Sequence, residues 1–315
     1  MSLKTDLKSL IQKYDLKPNK LLGQNFLIDQ NVLKKIIAAA DLSKNDTVLE
    51  IGPGLGTLTE ALAREAERVI AIEKDKKMAE VVKNVLSDRN IRNVEIVEGD
   101  ILKIPNTKYQ TQKYKVVANI PYYLTARLIR KFLEIEDPPS EMILMIQKEV
   151  AQRICARPPS LRSGASGQAK PPKMSLLAVS VQFYAEPKII DYVSKKSFWP
   201  APKVDSAILK ITPYATPICG FHTDNTDKEI CVSASELPEP EGRRRAFRVL
   251  FFKVVRAGFS HPRKQLIGNL SSGLKINREK ISQVLKKIGT APEQRAESLN
   301  VEDWKKLTEI LNHEA

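Results

Sequence analysis

Asn119, Pro121 and Tyr122 stand together in VVANIPYYLT, residues 116–125, where an apolar run breaks into an amide, a proline and paired aromatics. Those residue types suit one kind of chemistry: holding an exocyclic amine of a nucleobase for alkylation. Such a nitrogen is a poor nucleophile because its lone pair is delocalised into the ring. An amide oxygen and a nearby backbone carbonyl can each accept one N–H bond, which fixes the amine and frees its lone pair. Proline fixes φ and lacks an N–H, so it presents a carbonyl without adding a competing donor. The Tyr122 ring offers a face on which a flipped-out base can stack, with roughly 1–3 kcal/mol per base expected from such stacking. If the methyl donor is a sulfonium, the leaving group is a neutral thioether, so positioning carries the catalysis. Taken alone, the tetrapeptide also fits an edge turn with a packed tyrosine.

Three earlier stretches strengthen the reading. EIGPGLG places Gly52, Gly54 and Gly56 directly after a strand-like run and before a helical one, where the backbone must turn tightly and lie against a ligand. RVIAIEKD brings Glu73 to the end of the next strand, about twenty residues on, where a carboxylate can accept from both ribose hydroxyls. VEIVEGD ends in Gly99 and Asp100, and the aspartate suits an adenine amine. Three acceptor-bearing strand ends make a nucleoside pocket, for NAD or for S-adenosylmethionine. The glycine spacing is not G-x-G-x-x-G and is poorly suited to a pyrophosphate on the helix N-terminus, which favours S-adenosylmethionine.

The elements that must position these residues follow from periodicity. TVLEIG, RVIAIEKD, VEIVEGD, KVVANIP and EMILMIQK read as strands separated by helical patterns, which predicts β-α-β units and a parallel sheet covered by helices on both faces. Thr57 and Glu60 predict a capping box at the start of a helix over residues 57–67. SVQFYAEPKIIDYV and SAILKITP predict an antiparallel edge pair. Residues 157–173 and 214–243 are rich in Pro, Gly and Ser and read as loops, the first a basic one. Beyond them only helical spacing remains. Phe247, Leu250, Phe251 and Val254 form one stripe, Ile281, Val284, Leu285 and Ile288 a second, and Val301, Trp304, Leu307 and Leu311 a third. The expected organisation is an α/β domain over residues 1–213 and a smaller all-helical domain over 214–315.

Composition bounds the partners. Lys and Arg number 51 against 37 Asp and Glu, a net charge of +14, which favours a polyanion such as nucleic acid. The run Arg243, Arg244, Arg245 and the nearby Arg248, Lys253, Arg256, Arg263 and Lys264 are candidate phosphate contacts. Cys155, Cys219 and Cys231 show no metal spacing, and His222, His261 and His313 are scattered, so neither a disulfide framework nor a metal site is expected. The first residues are charged throughout and no apolar run reaches bilayer length, so a cytoplasmic protein without membrane contact is expected.

GQNFLID (23–29), EIGPGLGTLTE, the acid of IEKD, GDIL, NIPYYLT, QKEVAQRI, FWPAPKVDSAILKI and GFSHPRKQLIGNL occur in this order. Together they resemble the bacterial small-subunit (16S) ribosomal RNA adenine-N6,N6 dimethyltransferases. The resemblance implies a Rossmann-like S-adenosylmethionine-dependent methyltransferase domain and a helical C-terminal RNA-binding domain. It implies dimethylation of two adjacent adenosines near the 3′ end of small-subunit rRNA, on the immature small ribosomal subunit. Separately, a neutral thioether leaving group requires no metal, and a monomer is expected. Carried over residue by residue, the resemblance implies that Asn25 and Leu27 cover the cofactor and that Gly52 lines its methionine part. Glu73 would hold the ribose, Asp100 the adenine amine, and Asn119 would join cofactor to target. Tyr122 would stack on the target adenine and Phe198 would close the opposite face. Trp199 stands where the family often repeats phenylalanine, and residues 157–173 and 214–243 differ from the family's shorter forms. Alternatives are a large-subunit methylase of the erythromycin-resistance type, disfavoured by GFSHPRKQLIGNL, and a non-catalytic RNA-binding assembly factor, disfavoured by the intact NIPY. A nicotinamide dehydrogenase lacks an evident proton donor.

Overall fold

The computed structural model describes residues 3–16, 18, 23–105, 113–135, 137–158, 173–214 and 241–313. The expectations for most of the 157–173 loop, for nearly all of the 214–243 connection, and for Cys219, His222, Cys231 and the side chains of Arg243, Arg244 and His313 lie outside the described residues.

The chain divides into two compact units, residues 1–152 with 185–213, and residues 153–184 with 214–315. Residues 153–184, expected in the first domain, thus belong to the helical unit.

The first unit opens with α1 (Leu3–Lys13), β1 (Phe26–Leu27), α2 (Gln30–Ala40), β2 (Thr47–Ile51), α3 (Thr57–Glu65), β3 (Arg68–Glu73), α4 (Lys76–Asp88) and β4 (Val94–Glu98). It continues through β5 (Tyr114–Asn119), α5 (Thr125–Leu133), β6 (Glu141–Gln147) and the start of α6 (Lys148–Ile154), and ends with β7 (Ala185–Val193), β8 (Phe198–Trp199) and β9 (Ser206–Pro213). Seven strands form one sheet in the order β4-β3-β2-β5-β6-β9-β7. The first five are parallel, and β9 runs antiparallel between β6 and β7, as the edge-pair expectation required. The central strands are apolar on both faces because helices cover both. Val48, Leu49, Val116 and Val117 have no exposed surface, and the sheet's core continues into α2 and α3 through Ile36 and Leu62. Strand order reverses between β2 and β5, which opens a crevice at the strands' carboxyl ends. A second, two-stranded ribbon pairs β1 with β8, with Leu27 opposite Phe198.

Two local expectations are corrected. Residues 180–184, expected to open the strand, instead close a helix over Leu176–Tyr184; LLAVSVQFY is a short, mostly apolar run whose period cannot separate the two. The capping box is not made either. Gly56, at φ 83°, caps α3 without a side-chain bond, and Glu60 instead pairs with Arg64 and Arg89.

The second unit packs α7 (Leu176–Tyr184), α8 (Glu241–Gly258), α9 (Leu266–Leu274), α10 (Arg278–Lys287) and α11 (Val301–His313) around one apolar cluster. All three expected stripes supply it: Phe251, Val254, Ile281, Val284, Leu285, Trp304 and Leu307 have no exposed surface. Gly289 ends the second stripe at φ 73°, a conformation that suits glycine.

Candidate active site

The crevice is an open cleft lined by Asn25, Leu27, Gly52, Glu73, Asp100, Asn119, Tyr122 and Phe198 together with Glu50 and Tyr123. Every expected site residue therefore faces one space. Sheet register brings them there. Gly52 N–H donates to the Ile72 carbonyl at 2.9 Å and Gly99 N–H to the Glu73 carbonyl at 2.8 Å, so the strand ends stay aligned past the last ladder pair.

Gly52, Gly54 and Gly56 all have positive φ, so the loop between β2 and α3 takes a path that L side chains rarely follow. At Gly54 a Cβ would also meet the Phe26 ring at 3.1 Å. The Glu73 carboxylate holds this loop: Oε2 accepts from Gly54 N–H at 3.2 Å and Oε1 from Asp75 N–H at 2.9 Å. Burial raises the Glu73 carboxyl above its ordinary value, and the backbone donors of Asp75, Gly54 and Lys74 only partly offset that. Asp100 behaves oppositely. Burial would raise it, but the Lys74 ammonium at 3.0 Å and the Leu102 N–H at 3.0 Å hold it below the usual carboxylate range.

Glu50 is a site residue that the sequence reading passed over. It lies inside β2 with 1% of its surface exposed, and its Oε2 has no hydrogen-bond partner. Burial pushes its carboxyl up to about 8; Thr59 offsets little of this, and the charge of Glu73 adds to it. The available signal was an acid inside TVLEI, since an unpaired buried carboxylate is costly.

On the other flank of the crevice, Asn119 Nδ2 donates to the Asn25 carbonyl at 3.0 Å, and Asn25 Nδ2 donates to the Gly23 carbonyl at 3.0 Å. The amide's nitrogen end is thus engaged, and Oδ1 is its acceptor end. The Pro121 carbonyl accepts from Leu124 N–H at 2.9 Å in a single 3₁₀ turn, Tyr122–Leu124. That leaves the Ile120 carbonyl, ahead of a residue with no N–H, as the neighbouring acceptor. Tyr122 is half-buried, and its hydroxyl meets Ser206 Oγ at 2.8 Å, a contact not foreseen from sequence. Tyr123 is 52% exposed at the cleft mouth. Phe198 is buried and is held by its pairing with Leu27, and the adjoining Ser197 accepts Ile28 N–H on its carbonyl and donates its hydroxyl to Asp29 Oδ2, both at 2.9 Å. Trp199 pairs with Phe26 and packs into the cluster around α1 and α4, a core role.

Acceptors at successive strand ends, glycine turns beneath them and an amide-proline-tyrosine edge beside them describe an α/β methyltransferase fold. Residues 16–223 match the ribosomal RNA adenine dimethylase family. The ribosomal RNA small subunit methyltransferase A of Dehalococcoides mccartyi is 39% identical over 308 residues, 97% of this chain and 92% of its own length. The protein of that name from Clostridium botulinum is 38% identical over 306 residues, 96% of this chain and 98% of its own. A solved dimethyladenosine transferase from Plasmodium falciparum superposes with a TM-score of 0.68 at 26% identity, covering 91% of this chain and 98% of that one. The 23S rRNA methyltransferase ErmE gives 0.65 at 25%, covering 91% and 100%. The chain belongs to the ribosomal RNA adenine dimethylase family.

Proposed function

We propose that this protein uses S-adenosylmethionine to dimethylate N6 of two adjacent adenosines near the 3′ end of small-subunit rRNA, in the cytoplasm, during assembly of the small ribosomal subunit. One observation carries the reading: the Asn25 carbonyl orients the Asn119 amide so that its oxygen is the acceptor, between the Glu73–Asp100 strand ends and Tyr122.

The residues present suit the cofactor. Glu50, Glu73 and Asp100 give the cleft three carboxyl groups, and the orphaned Glu50 Oε2 awaits a donor or a positive charge. That set suits hydroxyls, an amine and a cation, and opposes a pyrophosphate. Glu73 would hold the ribose, Asp100 the adenine amine and Gly52 the methionine part, with Asn25 and Leu27 covering them. When bound, S-adenosylmethionine supplies an electrophilic methyl group and departs as a neutral thioether.

The chain's own residues do the rest. Asn119 Oδ1 and the Ile120 carbonyl accept the two N–H groups of the target amine and align its lone pair. Tyr122 stacks on the adenine and Phe198 closes the other face. Low local water content strengthens these polar contacts as the base enters. After one transfer the methylated nitrogen releases a proton to solvent and keeps a single N–H, so one acceptor suffices for the second.

The rRNA is gripped by the helical unit. At the α-helical repeat, Arg245, Arg248, Lys253 and Arg256 share one face of α8 around Val249, which is 65% exposed. Arg263 and Lys264 extend the exposed basic surface into the turn before α9. Among the described residues no helix is long and apolar enough to cross a membrane.

Labelled S-adenosylmethionine, offered with unmethylated small and large ribosomal subunits, tests the proposal. Label in small-subunit rRNA, on dimethyladenosine, is expected. Label only in large-subunit rRNA would overturn it in favour of the erythromycin-resistance type.

A further inference from the structure

Two aromatic rings that grip one base must stand a fixed distance apart, and Tyr122 and Phe198 lie on segments far apart in the chain. We infer that Ser206 is a positioning residue for base capture: its hydroxyl ties the Tyr122 ring to the same segment that carries Phe198, and so sets the gap between the two faces. The inference rests on the proposed function and specifies how its target subsite is held.

Ser206 has no exposed surface and opens β9. It is paired with Gln147 of β6 on one side and Val193 of β7 on the other, so its backbone is fixed from both flanks. Its Oγ lies 2.8 Å from the Tyr122 hydroxyl across 84 residues of sequence. A serine hydroxyl buried at a strand start is costly unless it finds a partner, and alanine would pack there without that cost. The partner here is the one ring of NIPY expected to stack.

Phe198 stands at the other end of the same segment, locked by the β1–β8 ribbon. The intervening residues are braced. Asp205 Oδ1 accepts Lys195 N–H at 3.0 Å, which closes the segment on itself, and the Asp205 carbonyl accepts Lys148 N–H at 3.0 Å. Pro200 and Pro202 each fix a φ between them. Residues 198–206 therefore form a frame with one ring attached covalently at one end and the other attached by a hydrogen bond at the opposite end. Without that bond the Tyr122 ring keeps its stacking face but loses its tie to the segment that carries Phe198.

Single-turnover methyl transfer to unmethylated small subunits tests this with Ser206→Ala, Tyr122→Phe and the double variant. Each single change removes the same bond from a different side. Each should lower the maximal rate roughly five- to tenfold, the scale of one neutral hydrogen bond. The half-saturating subunit concentration and the affinity for S-adenosylmethionine should stay at wild-type values, because docking and cofactor contacts lie elsewhere. The double variant should be no slower than the slower single one. Full rate in either single variant, multiplicative slowing in the double, or a parallel loss of cofactor affinity would each overturn the assignment. Tyr122→Phe leaves the buried strand untouched, so it decides the matter even where Ser206→Ala does not fold. A wild-type protein that fails to methylate small subunits would overturn the proposed function instead, a distinct outcome.

Discussion

Glu50→Gln should make the ligand-free protein more stable at neutral pH. In the native chain the Glu50 carboxyl is raised from 4.5 to about 8 by burial. An acid whose folded value lies above its unfolded value binds its proton more tightly when folded. Its contribution is therefore intact below about pH 4.5 and is lost as pH rises through the window from 4.5 to about 8. Each unit is worth about 1.36 kcal/mol, so from pH 4.5 to 7.5 the wild type forfeits at most ~4 kcal/mol through this one group. Glutamine has nearly the same shape and does not titrate. Urea unfolding at intervals from pH 5 to 8.5, without ligand, should show the variant gaining on the wild type by up to ~1.4 kcal/mol per pH unit and the difference levelling above pH 8. Glu73 is raised too, but it is present in both proteins and cancels in the difference. Two parallel profiles would refute the reasoning, because they would mean Glu50 is already ionised and solvated in the folded chain. The same variant should bind S-adenosylmethionine less tightly, since a cation in the cleft favours the ionised carboxylate.

Asn119→Ala should cut the single-turnover rate by about 10²–10³, the usual cost of one preorganised partner in the transition state, while calorimetry shows only a modest loss of cofactor affinity; near-normal turnover would return Asn119 to a strand-end turn residue. Glu73→Ala should weaken cofactor binding and loosen the Gly54 loop it holds, and unchanged calorimetric affinity would remove Glu73 from the ribose site. Replacing Arg245, Lys253 and Arg256 with alanine should flatten the log–log salt dependence of RNA binding by about 0.7–0.9 per lost phosphate contact, and an unaltered slope would make α8 a solvated face. Gly258→Ala would place a Cβ 2.3 Å from Trp304 Cη2, an atom of a ring with no exposed surface, and should cost about 1–3 kcal/mol of stability in thermal or urea unfolding; an unshifted transition would show that Trp304 repacks freely.

The parallel half of the sheet was legible because each strand announces itself twice, by an apolar run and by the glycine, acid or amide at its carboxyl end. Gly52, Glu73, Asp100 and Asn119 could be placed on one edge from that grammar alone. The β1–β8 ribbon could not. Two-residue strands have no period, and Leu27 and Phe198 meet only because the rest of the fold brings them together. The allegiance of residues 153–184 was hidden for a related reason: Ala178, Val179 and Phe183 are apolar, but an apolar stripe does not say which core it joins. Glu50 was not legible because one acid in an apolar strand does not say whether it is buried or reaches the sheet's edge. The Tyr122–Ser206 bond was invisible because a hydroxyl's partner is a matter of tertiary geometry, and it changes how the tyrosine is understood, from a bare stacking face to an anchored one.

The reversal of strand order between β2 and β5 separates two kinds of evolutionary risk. Gly52, Glu73 and Asp100 come from the flank of β2, β3 and β4, and Tyr122, Phe198 and Ser206 come from the flank of β5 and β9 and the segment that joins them. Asn119, tied back to Asn25, stands at the seam, and the Leu27–Phe198 pair bridges it. On the proposed assignment of roles, substitutions on the second flank can reshape what is grasped without disturbing what is spent. A lineage can therefore explore new acceptors while its methyl supply stays intact, and only changes at the seam put both at stake together.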